Sequence, residues 1–188
     1  MPLAGACVVA LLSAQAAPKW RWDREAATLR EALSHAWRGY EAHAWGADEL
    51  LPVSNSSRNN WGGLAISMID ALDTLLLLKL QPEYERAVEW LKRELPAKLE
   101  VGPDVNFFET SIRALGGLLG AFTLTGDRSL LALAEQIGRA LLPAFNSPRG
   151  LPYCGVNLRT GDASCPLSDF GEAIPIAEAG SVQLEFEG

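Results

Sequence analysis

Histidine and basic charge are scarce in this 188-residue chain: it has two histidines, and its 16 Lys and Arg face 23 Asp and Glu, a formal net charge of -7. So acidic a balance leaves no positive field to hold phosphates, which argues against a nucleic-acid partner. His35 and His43 stand eight residues apart on one helical segment, too far for a two-histidine metal pair of the HExxH kind, and read as packing or surface residues. No zinc, P-loop or dinucleotide motif is present. Three cysteines are too few for a disulfide-dense scaffold. What the chain does have is 48% hydrophobic residues against 21% charged, enough for one domain with a sizeable core.

The first apolar run, Ala4 to Leu12, has the length of a signal h-region and is too short to span a bilayer. Small residues follow it, Ser13 to Ala17, so residues 1–17 read as a cleaved signal peptide and 18–188 as the folded part. No basic residue precedes Lys19, which leaves an uncleaved anchor or a misplaced start as alternatives. Loss of the leader removes Cys7 and leaves Cys154 and Cys165, either paired or as two free thiols. One N-glycosylation triplet, Asn55-Ser56-Ser57, lies in a polar turn.

Helical periodicity dominates. Leu29, Leu33, Ala36, Tyr40 and Ala44 recur at spacings of three and four before Gly46. Leu64 to Leu80 is apolar almost all round and reads as a helix packed on several sides. Tyr84 to Leu95 gives a third helix, entered through Pro82 and expected to end near Pro96. A fourth runs from about Asn106 to Leu124, and Thr125-Gly126-Asp127 closes it and caps a fifth carrying Leu130, Leu133, Ile137 and Leu141. Pro143 to Gly180 is punctuated by Pro and Gly, with a short extended piece expected within Leu151 to Leu158; Ala177 to Phe186 starts another helical pattern. The segments share no fixed period, which disfavours a solenoid of helical repeats.

The fourth helix carries the chemistry. Phe108, Ile112, Leu115, Leu119 and Phe122 mark one face as core, while Glu109, Arg113, Gly116 and Gly120 follow the i, i+4, i+7, i+11 spacing on the adjacent face. Gly116, Gly117 and Gly120 each cost about 1 kcal/mol relative to alanine in a helix interior. Two uses offset such a cost: close approach of a neighbouring helix, with Glu109 and Arg113 as a solvated pair, or open space beside a carboxylate and a guanidinium. Helical spacing by itself leaves both open.

Six stretches in order resemble the class I α-1,2-mannosidases of glycoside hydrolase family 47: His35 to Tyr40, Ala44 to Leu50, Ile69 to Leu75, Phe108 to Gly117, Leu142 to Phe145 and Gln183 to Phe186. The resemblance implies an all-α fold, an incomplete (α/α)7 barrel cut off after its first helix pairs, with calcium as cofactor. It also implies an inverting hydrolase of the secretory pathway, endoplasmic reticulum or Golgi, membrane-associated or secreted, that removes terminal α-1,2-linked mannose from high-mannose N-glycans. Matched residue by residue, Glu109 corresponds to the proton donor, Arg113 to an arginine that contacts sugar and acidic residues, and Glu185 to an acidic residue of the substrate site; no metal ligand is matched. Asp48, Glu49, Asp70 and Asp73 read as structural, the last two tying loops to helix ends.

Arg113 one turn on favours the ionised form of Glu109, whereas a general acid must hold its proton. The chain also departs from the family. Gly161 to Phe170 lacks an expected tryptophan, and the family's remaining catalytic carboxylates and calcium-binding threonine are expected beyond residue 188. The chain alone is therefore expected to be inactive, the alternative being a mannose-binding or scaffold protein without turnover. Nothing in the sequence indicates oligomerisation.

Overall fold

A computed structural model describes residues 22–165 and 174–187. The predicted leader and the second half of the loop said to lack a tryptophan, residues 166–170, lie outside them. Helices dominate: α1 (Asp23–His43), α2 (Ile66–Asp70), α3 (Leu72–Leu77), α4 (Gln81–Val101), α5 (Phe107–Glu109), α6 (Gly116–Thr125), α7 (Arg128–Leu141), α8 (Ile176–Ser181) and α9 (Gln183–Phe186), with a π-helix at Thr110–Leu115 and a 3₁₀ turn at Leu142–Phe145. α6 packs against α3 and α7, and α4 against α3 and α7. The core between them is aliphatic: Ile69, Leu72, Leu75, Leu91, Leu95, Leu118, Leu130 and Ile137 are all fully buried.

The local signals act where they stand. Pro82 sits in the first turn of α4, the Asn106 side chain accepts from the Glu109 amide, and the Asp127 side chain accepts from the Ser129 amide at the start of α7. Gly126, at φ +72°, closes α6 in the left-handed conformation that suits glycine. Four expectations are corrected. α4 does not stop near Pro96 but continues to Val101, since burial of Leu91 and Leu95 together with packing of Leu99 outweighs the hydrogen bond that proline forfeits. The segment from Leu64 to Leu80 is two short helices broken at Ala71. Along α1 Tyr40 and the following Ala44 are buried as expected and Leu33 packs on the core, but Trp37 turns inward in place of the exposed Ala36, and Leu29 is 61% exposed. On the helix beginning at Phe107 the fully buried positions are Phe107, Ser111, Ala114, Leu118 and Ala121, one residue round from the expected face.

Among the described residues two small antiparallel sheets accompany the helices. β1 (Glu49–Leu51) pairs with β2 (Ser56–Arg58), with Leu51 opposite Ser56. β4 (Gly155–Asn157) lies between β3 (Asp104–Asn106) and β5 (Ala163–Ser164), and supplies the extended piece expected before the turn at Gly161. Cys154 and Cys165 form a disulfide that closes this sheet, deciding between the pair and two free thiols. The Phe107 amide donates to the Cys154 carbonyl at 2.8 Å, so the cross-linked sheet holds the first residue of α5.

Asp48 is wholly buried and organises the loop ahead of α2. Its carboxylate accepts from the backbone amides of Trp61, Gly63 and Ile66, and its own carbonyl takes the amide and hydroxyl of Ser67. The structural reading of Asp48 and Glu49 holds: Glu49 ties Arg58, Asn60 and the Trp61 indole at the base of the β1–β2 hairpin. Both histidines are exposed.

Candidate active site

Glu109 is the last residue of α5, and its place is set from below by the Asn106 cap at 2.8 Å and the fully buried Phe107. Arg113 follows one turn on, inside the π-helix. Such wide turns are rare and occur often at functional sites. The Ser111 hydroxyl back-bonds to the Phe107 carbonyl at 2.8 Å within this turn. Arg113 Nε donates to Glu109 Oε2 at 2.6 Å, and Arg113 Nη1 donates to Asp70 Oδ2 at 3.0 Å. The side chains of Glu109, Arg113 and Asp70 are 24%, 38% and 43% exposed, so the triad is accessible from outside.

Asp70 was expected to tie a loop to a helix end. It instead sits at the C-terminal end of α2 and takes one arm of the guanidinium, 43 residues away in sequence. Two carboxylates thus share one cation, and the Arg113 pKa is raised first by the Glu109 hydrogen bond and further by that of Asp70.

The glycine-lined face divides between the two uses left open by the sequence. A Cβ on Gly117 would lie 2.8 Å from the Ile69 carbonyl oxygen, so that glycine is where α2 approaches closely. At Gly116 and Gly120 the nearest neighbours outside the helix are carboxylate side chains: a Cβ there would stand 3.5 Å from the Glu185 side chain and 3.6 Å from Asp73 Oδ2 respectively. This edge of the helix is therefore lined by carboxylates.

Glu185 reaches it through aromatic anchoring of α9. Phe186 stacks on Phe107 with centroids 6.1 Å apart and meets Phe145 edge-on at 5.2 Å, while Val182 is buried. Glu185 Oε2 is buried and has no hydrogen-bond donor among the described residues. Beside it opens a groove of about 390 Å³ lined by Leu115, Leu119, Gly138, Leu142, Glu185 and Phe186.

Sequence reading did not single out Glu178. It lies seven residues before Glu185, with Val182 between them at i+4, and that spacing on one helical face was the available signal. Its carboxyl is pushed up from the ordinary value by burial and, second, by the charge of Glu109. Among the described residues no group of three or more His, Cys, Asp or Glu side chains is placed to hold a metal ion. The described residues by themselves do not form a calcium site.

Residues 32–188 match the model of Glycosyl hydrolase family 47. The chain is 42% identical to the mannosyl-oligosaccharide 1,2-alpha-mannosidase MNS1 of Arabidopsis thaliana over 158 residues, covering 84% of this chain and 28% of that protein. It is 47% identical over 156 residues to the endoplasmic reticulum mannosyl-oligosaccharide 1,2-alpha-mannosidase of Homo sapiens, covering 83% of this chain and 22% of that one. The solved alpha-1,2-mannosidase from Trichoderma reesei superposes with a TM-score of 0.74 at 27% identity, over 88% of this chain and 36% of the other. The chain thus spans less than a third of the length of these curated relatives. Its helices form an arc of an (α/α)7 barrel.

Proposed function

The chain belongs to glycosyl hydrolase family 47, and from that premise we propose that it carries the acid side of an α-1,2-mannosidase site acting on high-mannose N-glycans in the secretory pathway. The observation that carries this reading is Arg113 held between Glu109 and Asp70 at the head of a carboxylate-lined edge. Glu109 is the proton donor to the departing glycosidic oxygen. Arg113 holds the Glu109 carboxyl in place, and Asp70 draws part of its charge away, which eases the conflict between an adjacent cation and a group that must be protonated to act. Glu185 accepts from a sugar hydroxyl: a buried oxygen without a donor is what such a hydroxyl would satisfy.

Inverting hydrolysis needs a second carboxylate about 6.5 to 9.5 Å across the sugar from the acid, to activate water. The family resemblance assigns that base, and the calcium-binding threonine, to the part of the relatives that this chain does not span. Calcium, endoplasmic reticulum or Golgi residence and any membrane association belong to this proposal; among the described residues no helix is long and apolar enough to cross a membrane.

The test has two arms. The 188 residues alone, incubated with an α-1,2-linked mannose disaccharide and calcium, are expected to release no mannose. In a polypeptide extended to the full family domain, Glu109→Gln is expected to lower kcat by about 10² to 10⁴ with little change in KM, the range that general acid catalysis supplies. Sustained turnover by the chain alone, or a raised KM at unchanged kcat, overturns the assignment.

A further inference from the structure

The β1–β2 hairpin lies apart from the chemistry described above, and we propose that its tip is a modification site: Asn55 carries an N-linked glycan. The inference rests on the proposed entry of the chain into the secretory pathway, and goes beyond it in assigning the attachment site.

The triplet Asn55-Ser56-Ser57 has the acceptor pattern, with no proline in the middle. By itself that pattern arises often by chance, and accessibility decides whether it is used. Here the fold presents it. Pro52 to Asn55 form the turn between the paired residues Leu51 and Ser56, and every residue from Pro52 to Asn60 is exposed. Asn55 itself adopts φ +51°, a left-handed conformation that asparagine accepts more readily than most residues.

Hydrogen bonding separates the three residues. The Ser56 hydroxyl is engaged with that of Ser54 at 2.7 Å, whereas the Asn55 amide and the Ser57 hydroxyl, the two groups the reaction uses, make no side-chain hydrogen bond to the described residues. Attachment joins the Asn55 amide nitrogen to the sugar's anomeric carbon, with loss of an amide proton and departure of the activated lipid carrier as leaving group. No packing contact has to break. The base of the hairpin is held by Arg58, Asn60 and the Trp61 indole on Glu49, so the glycan would stand on an ordered stalk. It would also cover Val53, an apolar side chain fully exposed at the same tip.

The full chain, translated with microsomes behind a strong heterologous leader, supplies the test. Only material protected from added protease is scored, so translocation is established independently of the sites. One discrete step in mobility, removed by a peptide N-glycosidase that leaves position 55 deamidated, is expected. Asn55→Gln and Ser57→Ala should abolish the step; Ser57→Ala leaves the left-handed residue untouched, so a loss there is not a turn defect. Ser56→Ala should keep it. Protected wild-type chain that shows no glycosidase-sensitive step, or a step retained in Ser57→Ala, overturns the proposal. A version with its own residues 1–17 in place of the heterologous leader separates the two readings: if it stays outside the microsomes while the other is glycosylated, the site stands and the reading of residues 1–17 as a leader falls.

Discussion

Replacement of Gly117 by alanine tests the claim that this one glycine, and not its neighbours, serves helix packing. The added Cβ would lie 2.8 Å from the Ile69 carbonyl oxygen and 3.1 Å from both its carbonyl carbon and Cγ2. Two of these are backbone atoms, so relief requires α2 and the π-helix and α6 segment to part by about half an ångström against fully buried Met68, Ile69 and Leu118. Overpacking of this kind costs about 1 to 3 kcal/mol. Helix propensity returns about 1 kcal/mol for glycine to alanine, so Gly117→Ala should be less stable than the parent by up to about 2 kcal/mol. At Gly120 the nearest atom is 3.6 Å away, an ordinary contact, so Gly120→Ala should gain up to about 1 kcal/mol. The two variants share propensity and differ only in what the methyl meets. Urea midpoints at unchanged slope measure the difference, expected at about 1 to 3 kcal/mol, the overpacking cost alone. Equal midpoints would refute the assignment of close packing to Gly117.

Asp48→Ala leaves three backbone amides, that of buried Ile66 and those of half-buried Trp61 and Gly63, without their acceptor and should be among the most damaging single changes, about 3 kcal/mol, read from thermal unfolding; a loss below about 1 kcal/mol would show that water replaces the carboxylate. Reduction of the disulfide, or Cys154→Ser with Cys165→Ser, should cost up to about 3 kcal/mol and loosen the start of α5, measurable as faster hydrogen exchange at the Phe107 amide. Acid titration should show two opposite trends. Asp127, held at about 2 by Lys92 and then Ser129 against an ordinary 3.8, contributes stability present above pH 3.8 and lost as pH falls through about 2, so Asp127→Asn should flatten that limb of the unfolding curve. Glu178, raised by burial and by Glu109, contributes stability present below its ordinary value and lost as pH rises through the raised one; Glu178→Gln should therefore gain stability relative to the parent at neutral pH.

Much of the frame was legible from sequence alone because its causes are local. Pro82, Asn106, Gly126 and Asp127 act within one turn of where they stand, and Glu109 meets Arg113 because residues four apart share a helical face. The six ordered motifs pointed to the family, and the helical periodicity to its class. Other features are set by partners distant in sequence. Pro96 stays inside α4 because the core holds the leucines on either side of it. The sequence left the role of the glycines open, and packing divided them: Gly117 receives the Ile69 backbone, while Gly116 and Gly120 receive carboxylates. The pairing of Cys154 with Cys165 was one of two readings until β4 and β5 brought them together. Asp70 joins Arg113, and Glu185 lies over Gly116, only because α2 and α9 dock on the same helix. A local pattern specifies which face a side chain occupies; what stands opposite that face is decided by how the helices pack.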